Sequence, residues 1–337
     1  MNERIGIIGA GSWGTALAIS LAKTGKNVYL WARNHELVQE IRETRENSVY
    51  LGGAKIPEQV LVDSQLDAVV SACSILVFAT PSQSARAVGA KASPYFSSGH
   101  TLVSVAKGVE NDTLKLASEV LVDIAPAVPR EQIGVLYGPS HAEEVARGIP
   151  SAVVASAYGR ETASIIQQTF ISSRLRVYMN LDMVGVQVGG AVKNVMAIAA
   201  GISDGVGFGD NTKAAIVTRG ISEIKRLGIA MGAKPETFSG LSGIGDLVVT
   251  CMSGLSRNRY LGEQVGKGRQ MEAIIDEMKM VAEGVRTTQS IMALAERHHV
   301  EMPITEAVYR ILFEGKKPLE AVSDLMEREA KEEYWIA

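Results

Sequence analysis

The stretch Ile5-Gly6-Ile7-Ile8-Gly9-Ala10-Gly11-Ser12-Trp13-Gly14-Thr15-Ala16-Leu17-Ala18-Ile19-Ser20-Leu21-Ala22 decides how the chain is read. A short β-branched run passes through closely spaced glycines into an Ala- and Leu-rich segment, so the order is strand, tight loop, helix. The loop spells G-x-G-x-x-G with Gly9, Gly11 and Gly14. Gly9 permits the turn, Gly11 lets backbone approach a pyrophosphate, and Gly14 lets the helix pack closely on the strand. The helix N-terminus then faces the phosphate charge. Glycine turns also serve packing alone, but a strand before and a helix after make a dinucleotide site the expectation.

Working outward, apolar runs recur at 28–31, 75–79, 101–105, 134–137 and 152–155, separated by helical patterns. Runs buried on both faces and alternating with helices indicate an α/β, doubly wound parallel sheet of Rossmann type, assigned to residues 1–180. Ligands are expected at the carboxyl ends of its strands. From about residue 181 the strand signal stops, and helical spacing continues through 216–227 and 285–296. Residues 181–337 are therefore expected to form an all-α domain, with the tail 327–333 as a solvated helix face. No Pro/Gly/Ser-rich linker separates the halves, which places the expected ligand site in a cleft at the junction.

A chain of 337 residues with 46% hydrophobic content can bury a large core. Lys and Arg number 34 against 37 Asp and Glu, a net charge of −3, so no global basic field draws it to nucleic acid or to a membrane surface. An anionic small molecule must be held locally. Cys73 and Cys251 make no disulfide framework, which fits a reducing, cytoplasmic setting. Both are read as buried thiols, with Cys251 expected to confer some sensitivity to thiol reagents. His35, His100, His141, His298 and His299 lack metal-ligand spacing, so no metal is expected, and most are read as surface residues. The opening Met1-Asn2-Glu3-Arg4 carries no signal-peptide pattern, and no uninterrupted apolar run reaches the roughly 18 to 20 residues of a membrane span.

After the second strand stands Trp31-Ala32-Arg33-Asn34, where an NAD site usually has a carboxylate on the ribose hydroxyls. The Arg33 guanidinium can accept a 2′-phosphate, which favours NADPH over NADH; it can equally pair with Glu36 or Glu40.

Several further segments follow in order: Ser104-Val105-Ala106-Lys107-Gly108, Gly138-Pro139-Ser140-His141-Ala142, Gly189-Gly190-Ala191-Val192-Lys193-Asn194, Gly240-Leu241-Ser242-Gly243-Ile244-Gly245-Asp246-Leu247, Ser256-Arg257-Asn258 and Val281-Ala282-Glu283-Gly284. With the glycine loop, they make essentially the whole chain resemble the bacterial NAD(P)-dependent glycerol-3-phosphate dehydrogenases. The resemblance implies a C-terminal domain similar to that of 6-phosphogluconate dehydrogenases, and interconversion of dihydroxyacetone phosphate and sn-glycerol 3-phosphate, a phospholipid precursor. It implies that Lys193 donates and accepts the proton. Lys107, Gly138 and Ser140 would contact substrate, and Asp246, Ser256, Arg257 and Asn258 would complete the site. The cofactor would touch Ser12, Trp13, Arg33, Asn34, Tyr50, Lys107, Ala142, Arg257, Val281 and Glu283.

The residue chemistry is consistent with that implication. Hydride delivery to a ketone builds negative charge on oxygen, so a positioned acid is needed. Lys193 sits in an almost uncharged helical stretch, where a lysine is costly unless it faces a polar cleft, and partial desolvation is expected to bring its pKa toward working pH. The competing reading is a snorkelling lysine at a helix edge. Asn194 beside it can orient substrate hydroxyls or be an ordinary polar helix position. Asp246 and Thr250, four apart, share a helix face if a helix begins near Ile244, with Asp246 holding Lys193 or merely favouring the helix dipole. Arg257 offers a planar clamp for phosphate, or belongs to a solvated basic turn. Ser140 either contacts ligand or caps a helix over 141–147, with Pro139 in its first turn. A reductase acting on a hydroxy acid is the nearest rival, because an arginine does not by itself distinguish carboxylate from phosphate. The apolar helical half leaves a homodimer open.

Overall fold

The computed structural model describes residues 4–278, 280–330, 332 and 333, in two units. The first comprises residues up to 107 together with 115–183; the second comprises 108–114 and 184 onward.

In the first unit the strands are β1 (Arg4–Ile8), β2 (Asn27–Trp31), β3 (Glu46–Asn47), β4 (Leu51–Lys55), β5 (Val60–Asp63), β6 (Ile75–Phe78), β7 (Thr101–Ser104), β8 (Ile133–Tyr137), β9 (Ser151–Ala157) and β10 (Leu175–Met179). Eight form one sheet in the order β10-β9-β8-β7-β6-β1-β2-β5, and β3 and β4 form a separate antiparallel pair. β1 is sandwiched between two cores. Ile5 and Ile7 pack with Leu17, Leu21 and Val38, while Ile8 packs with Phe78, Val69 and Phe96. Each such fully buried side chain stabilises the fold by about 1.5–3 kcal/mol relative to exposure.

The sheet corrects a wholly parallel expectation. β8 and β9 are antiparallel and β10 follows β9, so the last two strands run against the other six. Strand direction leaves no mark on a run buried on both faces, and β9 is such a run. β5 and β10 also escape the sequence reading, because they are edge strands. In β5 Val60 and Val62 are buried while Leu61 is exposed, and in β10 Leu175 and Val177 are buried while Arg176 and Tyr178 are exposed. Half-exposed strands show alternation rather than an apolar run.

The chain goes from β1 to β2 and β5 on one side, then returns to β6, β7 and β8 on the other. The carboxyl ends of β1 and β6 therefore flank the switch point where such sheets hold ligands. Gly9 N donates to Trp31 O at 3.0 Å and Ala79 N to Ile8 O at 2.9 Å, which fixes the loops leaving this edge.

In the second unit every described element is helical. An 18-residue stretch of the helix Met183–Val206 has a mean hydropathy of 1.4, so the helix is long and apolar enough for a membrane span by length and composition. That stretch is 89% buried inside the protein, and Gln187, Lys193 and Asn194 interrupt it, so here it is a core helix. Helices Asp210–Ala230, Asp246–Met252, Arg257–Gly266, Glu283–Arg297 and Pro303–Phe313 follow it, with Met271–Glu277 and Pro318–Met326 between and after them. Glu223, inside Asp210–Ala230, is buried and caps a neighbouring helix: its carboxylate accepts from Ile304 N at 2.6 Å, Thr305 N at 3.2 Å and Thr305 Oγ1 at 3.0 Å. Those donors open Pro303–Phe313, which has no side-chain cap of its own. The expected helical tail is corrected, since the helix ends at Met326 and residues 327–330 are exposed turn and coil. Lys331 and residues 334–337 lie outside the described residues.

Candidate functional site

Within the first unit, the glycine loop forms a cradle. Gly9 has φ +121°, and a Cβ there would lie 2.9 Å from the Ala79 carbonyl. A Cβ on Gly14 would lie 1.9 Å from Gly9 O, so the helix Ser12–Ala22 meets the loop backbone at a distance only glycine allows. Gly11 faces open space. Beside the cradle, Trp13 Nε1 and Thr80 Oγ1 are buried without a hydrogen-bond partner among the described residues. Backbone amides, open space over Gly11 and unpaired donors fit the pyrophosphate and ribose of a dinucleotide.

Asn47 organises this edge and was not anticipated. Fully buried, it donates from Nδ2 to Ala10 O and Thr15 Oγ1, both at 2.9 Å, and accepts from Tyr50 N at 3.2 Å. It therefore ties the β3–β4 hairpin and Tyr50 to the glycine loop. Neither Asn47 nor Thr80 belongs to a sequence pattern; only the switch-point topology draws attention to Thr80.

At the end of β2, Arg33 is exposed and makes no pair with Glu36 or Glu40. The Asn34 side-chain oxygen accepts from Leu37 N at 3.1 Å and caps the helix His35–Thr44, a structural use of a residue expected at the cofactor. Beyond β7 and β8, Lys107 Nζ donates to Gly138 O at 2.7 Å and Ser140 Oγ donates to the same oxygen at 2.9 Å. Tyr137 OH donates to Ala106 O and braces the chain next to Lys107. Ser140 is not a helix cap: the helix is Ala142–Arg147, its N-cap is His141, and Pro139 lies before its first turn. Ala142 is buried at the start of that helix.

The second unit holds the other group. Lys193 Nζ donates to Asp246 Oδ1 at 2.6 Å and to Thr250 Oγ1 at 2.7 Å, and all three side chains are buried. Thr250 Oγ1 also bonds Asp246 O at 2.6 Å, the i to i+4 relation of the helix Asp246–Met252. The glycine-rich turn Leu241–Gly245 brings this helix onto Met183–Val206: a Cβ on Gly189 would lie 2.4 Å from Ser242 O. A carboxylate against a buried ammonium compensates its charge, and the hydroxyl fixes the amine's direction.

Asn258 Nδ2 donates to Asn194 Oδ1 at 3.0 Å, and Asn258 Oδ1 accepts from Gly284 N at 3.0 Å. This bridge joins three helices and sets the start of Glu283–Arg297, next to Val281 and Glu283. Ser256 Oγ caps the helix Arg257–Gly266 by accepting from Arg259 N at 3.2 Å. Of the two arginines there, Arg259 is committed to Asp204, whereas Arg257 is exposed and without a partner among the described residues. Cys251 is wholly buried, and burial pushes its thiol up to about 12, which corrects the expectation of thiol-reagent sensitivity. His100 is also buried, between Ser97 N at 2.9 Å and Val70 O at 3.2 Å, rather than on the surface.

Comparison with known proteins adds a family. A profile described as the NAD-dependent glycerol-3-phosphate dehydrogenase N-terminus matches residues 4–163, and one described as its C-terminus matches 182–323. The chain is 56% identical over 336 residues to a protein of Salinibacter ruber named glycerol-3-phosphate dehydrogenase [NAD(P)+] 2, covering 100% of this chain and 98% of that one. It is 52% identical to a glycerol-3-phosphate dehydrogenase [NAD(P)+] of Chlorobium phaeobacteroides, covering 98% and 99%. A crystal structure of glycerol-3-phosphate dehydrogenase from Coxiella burnetii superposes with a TM-score of 0.93 at 37% identity, covering 97% and 99%.

Proposed function

The chain belongs to the NAD-dependent glycerol-3-phosphate dehydrogenase family, and from that premise we propose that it reversibly reduces dihydroxyacetone phosphate to sn-glycerol 3-phosphate. Its cofactor is NADPH or NADH, with NADPH favoured by the unpaired Arg33. The observation that carries the reading is the buried Lys193 ammonium, held by Asp246 and Thr250.

A nicotinamide held at the glycine loop supplies the hydride. Lys193 Nζ delivers a proton to the ketone oxygen as negative charge develops there, and takes it back from the alcohol in the reverse direction. Asp246 and Thr250 hold the amine in place, so its donor direction is set before substrate arrives. Arg257 grips the phosphate with its planar fork, with Ser256 and Asn258 beside it. Lys107, Gly138 and Ser140 contact substrate. Gly9, Gly11, Ser12, Trp13, Gly14, Tyr50, Ala142, Val281 and Glu283 serve the cofactor.

Most of the dinucleotide groups fall in residues 1–180 and the proton-transfer and phosphate groups in 181–337, with Lys107, Gly138 and Ser140 on the substrate side and Val281 and Glu283 on the cofactor side crossing that division. The family membership supports a product that enters phospholipid synthesis, and two free, buried cysteines support a cytoplasmic setting. Exposed apolar side chains on the helical unit, such as Met252 and Leu255, support a homodimer.

The test is a spectrophotometric assay of NADPH consumption with dihydroxyacetone phosphate against a panel of 2-keto and 3-keto acids. Turnover is expected with the phosphate ester. Oxidation only with the acids overturns the reading in favour of a hydroxy-acid dehydrogenase.

A further inference from the structure

Asp204 lies on the same helix as Lys193 and gathers two cations from two other helices. Its Oδ1 is 2.6 Å from Lys213 Nζ, and its Oδ2 is 2.8 Å from Arg259 Nε and 2.7 Å from Arg259 Nη2. The side chains are largely shielded, at 14% exposure for Asp204 and Lys213 and 20% for Arg259. Arg259 also holds the turn ahead of its helix, since its Nη1 reaches Ser253 O at 3.5 Å and its backbone N–H is bonded to Ser256 Oγ at 3.2 Å. The next residue after Ser256 is Arg257.

The two helices meet backbone to backbone. A Cβ on Gly201 would lie 2.0 Å from Arg259 O, and one on Gly262 would lie 2.1 Å from Ile198 O. Small residues permit such an approach but do not set its register, because smooth surfaces slide. A slip of one helical turn moves a residue by about 5.4 Å, well beyond the reach of a hydrogen bond. Directional bonds pin the register at two levels, from Asn258 to Asn194 and, about three turns further along the long helix, from Arg259 to Asp204.

We propose that Asp204 is a positioning residue of the reaction: through Arg259 it sets the separation between the Lys193 ammonium and the Arg257 guanidinium. That separation matches the ketone oxygen of a three-carbon substrate to its phosphate and so governs selection of the phosphorylated ketone. The proposal rests on the functional reading above, in which Lys193 serves the oxygen and Arg257 the phosphate. A surface ion pair would do little of this kind. Here one carboxylate is shared by two shielded cations, and removing it leaves both without their partner.

The experiment compares kcat/KM for dihydroxyacetone phosphate and for unphosphorylated dihydroxyacetone in the full-length protein, its Asp204→Asn variant and its Arg259→Lys variant. Arg259→Lys keeps the charge but loses the fork. The preference for the phosphate ester is expected to fall about tenfold in both variants, mainly through KM for the ester. NADPH affinity, followed by fluorescence, is expected to stay unchanged. General damage to the fold would instead lower both substrates alike, and that result, or an unchanged preference, overturns the proposal. Should Asp204→Asn not fold, Arg259→Lys alone decides the matter. Wild-type protein inert toward the ester overturns the functional reading and this proposal with it, whereas active wild type with unaltered variants overturns only the role of Asp204.

Discussion

Lys193 Nζ and Asp246 Oδ1 are 2.6 Å apart, and the two side chains are withdrawn from solvent almost completely. In such a pair, stability and chemistry are entangled, because removing either partner strands the other's charge. Lys193→Met is expected to lower turnover by roughly 10²- to 10⁴-fold, as the loss of a positioned proton donor does. It is also expected to lower the melting temperature, while NADPH still binds. The double variant Lys193→Met/Asp246→Asn separates the effects: stability should recover and turnover should not. Near-normal turnover in the single variant would remove Lys193 from its role.

Arg33 stands exposed at the end of β2 without an ion partner. Arg33→Ser should therefore raise KM for NADPH about tenfold, the loss of one charge-assisted phosphate contact, with little change for NADH. Steady-state kinetics with both cofactors checks this. An equal effect on the two would mean that Arg33 does not touch a 2′-phosphate.

Gly14→Ala puts a methyl group where the Gly9 carbonyl oxygen lies 1.9 Å away, and that oxygen belongs to backbone that cannot swing aside. The helix Ser12–Ala22 must lift from its loop, at a cost of about 1–3 kcal/mol in overpacking strain. Thermal unfolding should show a lowered melting temperature, and NADPH binding should weaken with it. Gly11→Ala, which meets no protein atom, should leave stability intact and weaken cofactor alone. Equal melting temperatures for the two variants would contradict this account.

Glu223 ties stability to pH. Burial pushes its carboxyl from the ordinary 4.5 up to about 7, against the opposing pull of the Ile304 and Thr305 donors and of Arg226. Between those values the folded protein keeps a proton that the unfolded chain releases, so the contribution is full below pH 4.5 and is lost as pH rises through about 7. Melting curves between about pH 5 and pH 8 should show this declining limb, and Glu223→Gln should flatten it. A variant with the wild-type slope would place the titration elsewhere.

What could be read in advance follows from where each segment lies. Strands buried on both faces, such as β1 with Ile5, Ile7 and Ile8, announce themselves as apolar runs, and the glycine spacing names the loop after them. Edge strands such as β5 and β10 do not, since every second side chain faces water. The reversal of β9 is equally silent, for direction has no compositional trace. At the site, residue type and i to i+4 spacing anticipated that Asp246 and Thr250 share a face. Their meeting with Lys193 depends on the close approach at Gly189, a contact between segments distant in sequence. Asn47 was illegible for the same reason: its partners Ala10 and Thr15 lie on another element, and nothing around it repeats.

The seven residues Gly108–Leu114 belong to the helical unit although the chain on either side of them belongs to the first. They are fastened there, with Ser290 Oγ donating to Val109 O at 3.3 Å and Asn111 Nδ2 to Gln289 Oε1 at 3.2 Å. The polypeptide is thus threaded in and out rather than cut into consecutive modules. Severing it at residue 183 would not yield two interchangeable cassettes: one fragment would carry a borrowed ribbon with nothing to clasp it, and the other would be missing a piece of its own interior.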